Sequence, residues 1–452
     1  MIPLNEIQEL TNIAEQVAQT IVSYSHVRVI SHNDADGLTS AAIICQTLLR
    51  EDIPYHVTIT SRLDEDVIET VNKSTSDSDL VVFCDMGSGQ PDLIGKVKQD
   101  VVVIDHHQPV GESPATAAIN PHMAGVDGAT YLCASMTTYL VARQINANNV
   151  DLAGLAIAGA VGDKQLFGEP NKHILDEAVQ AKIVSVQKGL KVGGGDIADV
   201  LENTPEPYLD ITGNRDKIDE FLDILNIHGN IDELKTDELK KLISAIALKL
   251  TKNASPEAVD AAIGDVYILN QELIPNVYDM VATLNSCGKQ DKYGLALALC
   301  MKDRDSYEEA RSLTTELQKK VITDIKRAET MIQRGEHIWY LNAANLESTG
   351  IVASIVVRYI HPDMPFLAVN RVEDLVKVSS RGTRALIQQG LDLASALRET
   401  ADAVGGQGGG HNIASGASIP QGTSEDFIRR VDEIVGKQLG GEGYGNESHN
   451  ED

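Results

Sequence analysis

The chain predicts an α/β protein whose first domain is built on a parallel sheet, and three observations carry that expectation. Short runs rich in valine and isoleucine alternate with segments of helical periodicity through residues 1–190. The runs are apolar at consecutive positions, as strands covered on both faces must be. They end in polar residues, and in open parallel sheets ligands bind beyond the carboxyl ends of the strands.

Residues 5–24 carry an amphipathic helical pattern, HVRVIS (26–31) reads as a buried strand, and TSAAIICQTLLRE (39–51) as a helix that Thr39 can cap. YHVTIT (55–60) is a second strand and LDEDVIETVNK (63–73) a helix. DLVVFCD (79–85) and DVVVIDHH (100–107) are valine-rich strands with polar ends. Helices are expected over 129–145 and 152–165, the second apolar until Gly162 and Asp163. From 191 to 335 the pattern changes to longer, charged amphipathic helices, such as 237–252 and 307–333, expected to form a helical insert domain. Strands return at 336–343, 364–372 and 375–382, followed by a glycine-rich turn, GGQGGGHN (405–412), so that 336–438 makes a smaller α/β domain. Residues 439–452 read as a disordered acidic tail.

Composition narrows the function. No apolar run reaches the about 18 to 20 residues of a membrane helix, and the N-terminus is acidic and amphipathic, so a cytoplasmic protein with no membrane partner is expected. Cys45, Cys84, Cys133, Cys287 and Cys300 are scattered without a CxxC pair, which suits reduced core thiols. With 38 basic against 66 acidic residues the net charge is -28, so a polyanion is repelled at long range and must be met by a local basic surface. The insert lysines, Lys240, Lys241, Lys249 and Lys252 and then Lys319, Lys320 and Lys326 with Arg327, alternate with acids and read as a solvated face. Aromatic residues for base stacking are scarce, at 4%.

His32, Asp34, Asp36, Asp85, Asp105, His106 and His107 all fall at or just past the ends of apolar strands. Carboxylates and imidazoles gathered on one sheet edge suit Mn²⁺ or Mg²⁺, and this many can hold two ions about 3.5 to 4 Å apart. Hydrolysis of a phosphate ester is the reaction such a site supports best. Each piece alone has an ordinary reading: 32–36 as a solvated turn capping a helix, Asp85 and Asp163 as turn carboxylates, His106 and His107 as loop histidines. Their joint placement on one edge favours the site.

HNDADG (32–37), CDMG (84–87), DHH (105–107) and GDK (162–164), in that order and followed by GGGH (408–411), resemble the DHH phosphoesterases, and within them the RecJ-like branch with its C-terminal DHHA1 domain. The resemblance covers about 1–180 and 336–430, and LNSCGKQDKYGLALALCMKDRD (284–305) is similar to archaeal RecJ-like proteins in particular. It implies a DHH catalytic domain over 1–190 and a DHHA1 substrate-binding domain over 336–438. One ion would be held by His32 and Asp34 with Asp85 bridging, the other by Asp36, His106 and Asp163; Asp105 would orient an imidazole and His107 would face the scissile phosphate. Phosphatase branches place the histidine four residues before the first aspartate, where this chain has Ile30; here it stands two before Asp34. On the substrate side, Ser380 and Arg381 in VSSRGT and the backbone of Gly408, Gly409 and Gly410 with His411 are the expected phosphate contacts. A flexible glycine loop and a surface arginine are the ordinary readings of those stretches.

The activity implied is a two-metal, single-strand-specific exonuclease on DNA or RNA that releases mononucleotides, a narrow cleft between the domains excluding a duplex. A phosphoesterase of short oligonucleotides is the alternative within enzymes, although compact enzymes of that kind lack a comparable helical block. A third reading is a replication scaffold, since archaeal RecJ-like proteins are associated with the GINS complex and resemble a replicative-helicase subunit that has lost catalysis. Every motif aspartate is present here, which favours an active enzyme. Asp36 and His106 are expected to line a solvent-facing cleft.

Overall fold

The computed structural model describes residues 4–372 and 375–440, which form two compact units, 4–188 with 265–315 and 189–264 with the described residues from 316 to 440. In the first unit α1 (Leu4–Val22) precedes β1 (Val27–His32), α2 (Ala35–Arg50), β2 (Tyr55–Thr60), α3 (Glu65–Ser74), β3 (Leu80–Cys84), α4 (Pro91–Ile94), β4 (Asp100–Ile104) and β5 (Ala117–Ile119). The strands form a sheet in the order β2-β1-β3-β4-β5, parallel throughout as the apolar runs predict. β5 escapes the sequence reading because three residues, AAI, carry no periodicity.

Alternate residues of each strand enter different cores. Val27, Val29, Leu80, Val82, Val102 and Ile104 meet α1, α2, α5 (Ala134–Ile145) and α6 (Ala153–Gly162). Ile30, Val81, Phe83, Val101 and Val103 meet Ile68 and Val71 of α3 and Ile94 of α4. Coverage on both faces is why these strands read as unbroken apolar runs. α2 is buried from Ala35 to Leu48 and packs on α5, α6 and β1, so apolar or small residues occupy every side of it.

α2 begins four residues before the Thr39 cap expected from sequence. Asp34 is the cap: its Oδ1 accepts the Gly37 N–H at 3.0 Å. Thr39 lies inside the helix and its hydroxyl donates to the Ala35 carbonyl. A carboxylate at the N-terminus also meets the helix dipole, which a hydroxyl does not.

Residues 191–335 are divided between the units. Tyr267, Leu269, Leu284, Ala296 and Leu299 join the core of the parallel sheet, whereas Ile218, Leu242 and Ile246 share a core with Leu341, Val352 and Phe366. Amphipathic periodicity shows that a helix buries one face and carries no record of which sheet receives it. β6 (Val184–Leu190) and β7 (Ile263–Leu269) pair as a two-stranded sheet.

The second unit holds a six-stranded sheet, β12-β13-β11-β10-β9-β8, formed by β8 (Gln333–Arg334), β9 (Trp339–Ala344), β10 (Phe366–Val372), β11 (Leu375–Arg381), β12 (Gln407–Gly410) and β13 (Ala414–Pro420). Only β9 and β10 are parallel. The glycine run expected as a turn is therefore the edge strand β12, in register with Gly416 opposite Gly409. Gly408 serves packing: a Cβ there would stand 2.5 Å from the Leu397 carbonyl of the helix Leu393–Ala403, whereas one on Gly409 would meet open space. Of the expected acidic tail, 441–452 lie outside the described residues.

Candidate metal centre

Eight polar residues meet at the carboxyl edge of the parallel sheet. β1 ends at His32, Asp34 caps α2 and Asp36 occupies its first turn. Asp85 follows β3, Asp105 to His107 follow β4, and Asp163 stands at the C-terminal end of α6. Asp85 has φ 59°, a left-handed conformation that aspartate tolerates better than most residues.

His32 Nδ1 lies 3.0 Å from Asp34 Oδ2 and 3.3 Å from Asp85 Oδ2. His106 Nε2 lies 3.3 Å from Asp85 Oδ1, 3.3 Å from Asp163 Oδ2 and 3.8 Å from Asp36 Oδ2. Two triads result, His32–Asp34–Asp85 and Asp36–His106–Asp163, each with ligand atoms within 4.8 Å of one another, and Asp85 reaches both histidines. His106 Nδ1 donates to the Gly128 carbonyl at 2.9 Å, which turns Nε2 toward the carboxylates. Asp105 accepts the N–H groups of Ser88, His106 and His107 and lies 2.8 Å from His107 Nδ1. His107 is the exposed member, its side chain 56% accessible.

Asp36 and His106 are buried, which corrects the expectation of a solvent-facing cleft around them. Asp36 takes the Ala134 and Ser135 N–H groups at 2.8 and 2.9 Å and so caps α5 as well as facing the site. Gly159 allows this: a Cβ there would stand 2.6 Å from Asp36 Oδ1 and 2.1 Å from Ser135 Oγ.

Five carboxylates in so small a volume demand positive charge. Burial and the neighbouring Asp36 push Asp85 up to about 6, against the opposing pull of the two histidines. Asp163 is pushed up to about 9 by burial and Asp36. Burial alone would lower His32, but Asp34 and Asp85 raise it to about 10; His106, likewise opposed by burial, rises to about 11 on Asp85, Asp36 and Asp163. Asp105 is held well below the carboxylate range despite burial, by His107 and the Ser88 N–H. Asp85 Oδ1 is buried without an aligned hydrogen-bond donor. An orphaned carboxylate oxygen between two oxygen- and nitrogen-rich triads fits hard divalent cations.

A cation entering this site displaces protons from His32, His106 and Asp163, so Mn²⁺ affinity is expected to rise steadily from about pH 6 to pH 9. Calorimetric titration in buffers of different ionisation heat should find more than one proton released per chain near neutrality. An affinity flat across that range would contradict the coupling.

Sequence reasoning missed the residues that hold the first motif from behind. Asn285 Oδ1, on the helix Val277–Lys289, accepts the Ala35 N–H at 2.9 Å, and Asn33 Nδ2 donates to the Gly288 carbonyl at 3.3 Å. Gly288 has no side chain for want of room: a Cβ would stand 1.8 Å from the Asn33 carbonyl oxygen. The signal lay in LNSCGK (284–289), where no single residue announces a role. Lys289 on this helix lies near Lys164, and burial with that charge lowers its ammonium below the usual value. Asn285→Ala is expected to weaken Mn²⁺ binding severalfold by loosening the first turn of α2, with a stability loss of about 1 to 3 kcal/mol for the Ala35 N–H left without its acceptor. Wild-type affinity in a folded variant would remove Asn285 from the site.

The other expected site residues lie in the second unit. Ser380 is buried and spends its hydroxyl on the Ser415 carbonyl at 3.1 Å. Arg381 donates Nε to Ser354 Oγ and Nη1 to the Ser380 carbonyl; burial pushes its guanidinium down, and no carboxylate among the described residues pairs with it. Gly408 to Gly410 lie along the edge strand and His411 is exposed beside them. Several insert lysines are paired internally, Lys249 with Asp210, Lys320 with Glu347, and Lys241 with the Leu225 carbonyl. Among the described residues no helix is long and apolar enough to cross a membrane.

The DHH family N-terminal domain matches residues 26–160 and the DHHA1 domain residues 338–437. An uncharacterized protein of Methanocaldococcus jannaschii is 31% identical over 96% of this chain and 99% of its own length. The single-stranded-DNA-specific exonuclease RecJ of Bacillus subtilis is 23% identical over 96% of this chain, which spans 48% of that protein's length. Among solved structures, manganese-bound RecJ of Thermus thermophilus matches 95% of this chain and 55% of its own with a TM-score of 0.61 at 16% identity. CDC45 of Entamoeba histolytica matches 95% of this chain and 99% of its own with a TM-score of 0.65 at 11% identity. The two domain matches, each centred on one of the two sheets, and the full-length relative show that the chain belongs to the DHH/DHHA1 phosphoesterase superfamily, in its RecJ-like branch.

Proposed function

We propose that the protein is a metal-dependent exonuclease that hydrolyses single-stranded DNA or RNA from an end and releases mononucleotides. The observation that carries this reading is the pair of triads, His32–Asp34–Asp85 and Asp36–His106–Asp163, joined by Asp85, which reaches both histidines. His32, Asp34 and Asp85 would hold one Mn²⁺ or Mg²⁺, and Asp36, His106 and Asp163 the other. Bound there, two such ions supply Lewis acidity to a phosphodiester and lower the pKa of water.

The chain's own groups do the rest. Asp105 binds Nδ1 of His107 and raises its basicity, which favours the imidazolium whose Nε2–H would be offered to a phosphate oxygen. Asp105 is fixed in turn by three backbone N–H groups, which keeps the imidazole from rotating away. In the second unit, unpaired Arg381 is proposed to take a backbone phosphate of the strand as a two-pronged donor, with the β12 glycines and His411 beside it. Ser380 supports Arg381 from within the sheet.

The likeness to CDC45 over nearly the whole of both chains supports a second reading, a GINS-bound replisome scaffold with little hydrolysis. End-labelled strands, long and very short, single and duplex, separate the readings. Mononucleotide release from long single strands with duplex spared is the expected result. Hydrolysis of only the shortest oligomers would indicate a small-substrate phosphoesterase, and none at all, with GINS captured, the scaffold.

A further inference from the structure

At the opposite end of β1 from the metal centre, about 13 Å along the strand from His32, a cavity of about 350 Å³ is lined by His26, Arg28, His56, Thr70, Ser74 and Thr75. Arg28 and His56 are register partners on neighbouring parallel strands and so face the same way. They share that face with Ile30 and its register partner Thr58, and beyond Ile30 the face runs into the apolar cluster with Ile68 and Val71.

Arg28 is only 7% exposed, yet among the described residues no carboxylate lies within ion-pair distance of its guanidinium. One Nη donates to Thr58 Oγ1 at 2.6 Å, and Nε is buried with no partner. The Thr75 hydroxyl is also buried and unpartnered. The nearby acid, Asp79, lies 3.1 Å from His26 Nδ1 and accepts the Ser76 N–H. The C-terminal carbonyls of α3 do not answer the charge either: those of Thr70, Val71 and Thr75 already accept from Ser74 Oγ, the Thr75 N–H and Gln99 Nε2. A buried guanidinium without counter-charge is costly, and among the described residues no aspartate or glutamate is placed against it.

We propose that this cavity is an anion site that takes a phosphate dianion, free or as the terminal phosphate of a small nucleotide, on the guanidinium of Arg28 and the hydroxyl of Thr75 with His26 and His56 at the rim. The planar fork of arginine matches two phosphate oxygens, and the volume exceeds what phosphate alone fills. The site is independent of the hydrolytic reading, because every lining residue stands apart from the carboxylate edge.

The test is calorimetric titration of the full metal-free chain in EDTA with inorganic phosphate and with AMP, for wild type, Arg28→Met and Thr75→Val. EDTA keeps metal ions out of the carboxylate edge, and any phosphate or AMP held there by His107 would be unaffected by the Arg28 and Thr75 substitutions. Saturable binding to wild type is expected, weaker by about tenfold or more in Arg28→Met and severalfold in Thr75→Val, which conserves shape. Arg28→Met should melt no lower than wild type in phosphate-free buffer, since it removes an unpaired charge. AMP binding tighter than phosphate identifies a nucleotide ligand, and equal affinities identify phosphate itself. No saturable binding of either probe to wild type, or binding unchanged in both variants, would overturn the proposal.

Discussion

Asp85→Asn is expected to lower hydrolysis by at least about 10³-fold while leaving the metal-free protein as stable as wild type, or more so, at pH 8. The kinetic loss follows from its place: Asp85 touches both histidines, and several kcal/mol of charge stabilisation in a two-metal site corresponds to about that factor. The stability effect follows from burial. With its folded pKa pushed to about 6 from an ordinary 3.8, Asp85 keeps a proton in the folded state that the unfolded chain releases. Stability therefore falls as pH rises between about 4 and 6, and the deficit is complete above that window. Asparagine keeps the shape and removes the charge. Melting temperatures at pH 4 and pH 8 in EDTA check this: wild type should lose relative to the variant as pH rises. A variant that melts well below wild type at pH 8 would show that Asp85 is a structural anchor.

Gly159→Ala is expected to be damaging without removing any functional group. The added methyl would stand 2.1 Å from Ser135 Oγ and 2.6 Å from both Asp36 Oδ1 and Thr39 Oγ1, in a region where α2, α5 and α6 are buried together. Something must move, and overpacking of this kind costs about 1 to 3 kcal/mol. Because Asp36 is among the atoms displaced, Mn²⁺ affinity and hydrolysis should fall together with the melting temperature. Circular dichroism melting and metal titration on the one variant measure both; normal affinity in a destabilised protein would uncouple the packing from the site.

The parallel sheet was legible because burial on both faces leaves long apolar runs, and the site edge was legible because those runs end in aspartate and histidine. Motif spacing does not report which neighbours a residue caps. Asp34 and Thr39 both suit a helix start, and only the fold shows Asp34 in that role and Asp36 capping a second helix, α5. GGQGGG read as a turn from its composition, whereas 407–410 pair as an edge strand in which Gly408 admits Leu397. Ser380 looked like a phosphate contact beside Arg381, yet alternation along β11 turns its hydroxyl into the sheet. Asn285 was invisible because its partner is a backbone N–H 250 residues away in sequence.

Whether the paired triads hydrolyse nucleic acid is decided by digestion of end-labelled single-stranded DNA and RNA with wild type and Asp163→Ala, each with Mn²⁺ and with EDTA. Asp163 is the ligand candidate of choice because it is partly exposed at a helix end, so its loss should leave the core intact. Mononucleotides are expected from wild type with Mn²⁺ only, and none from the variant under either condition. Hydrolysis by wild type in EDTA, or by Asp163→Ala at the wild-type rate with Mn²⁺, would contradict a two-metal exonuclease.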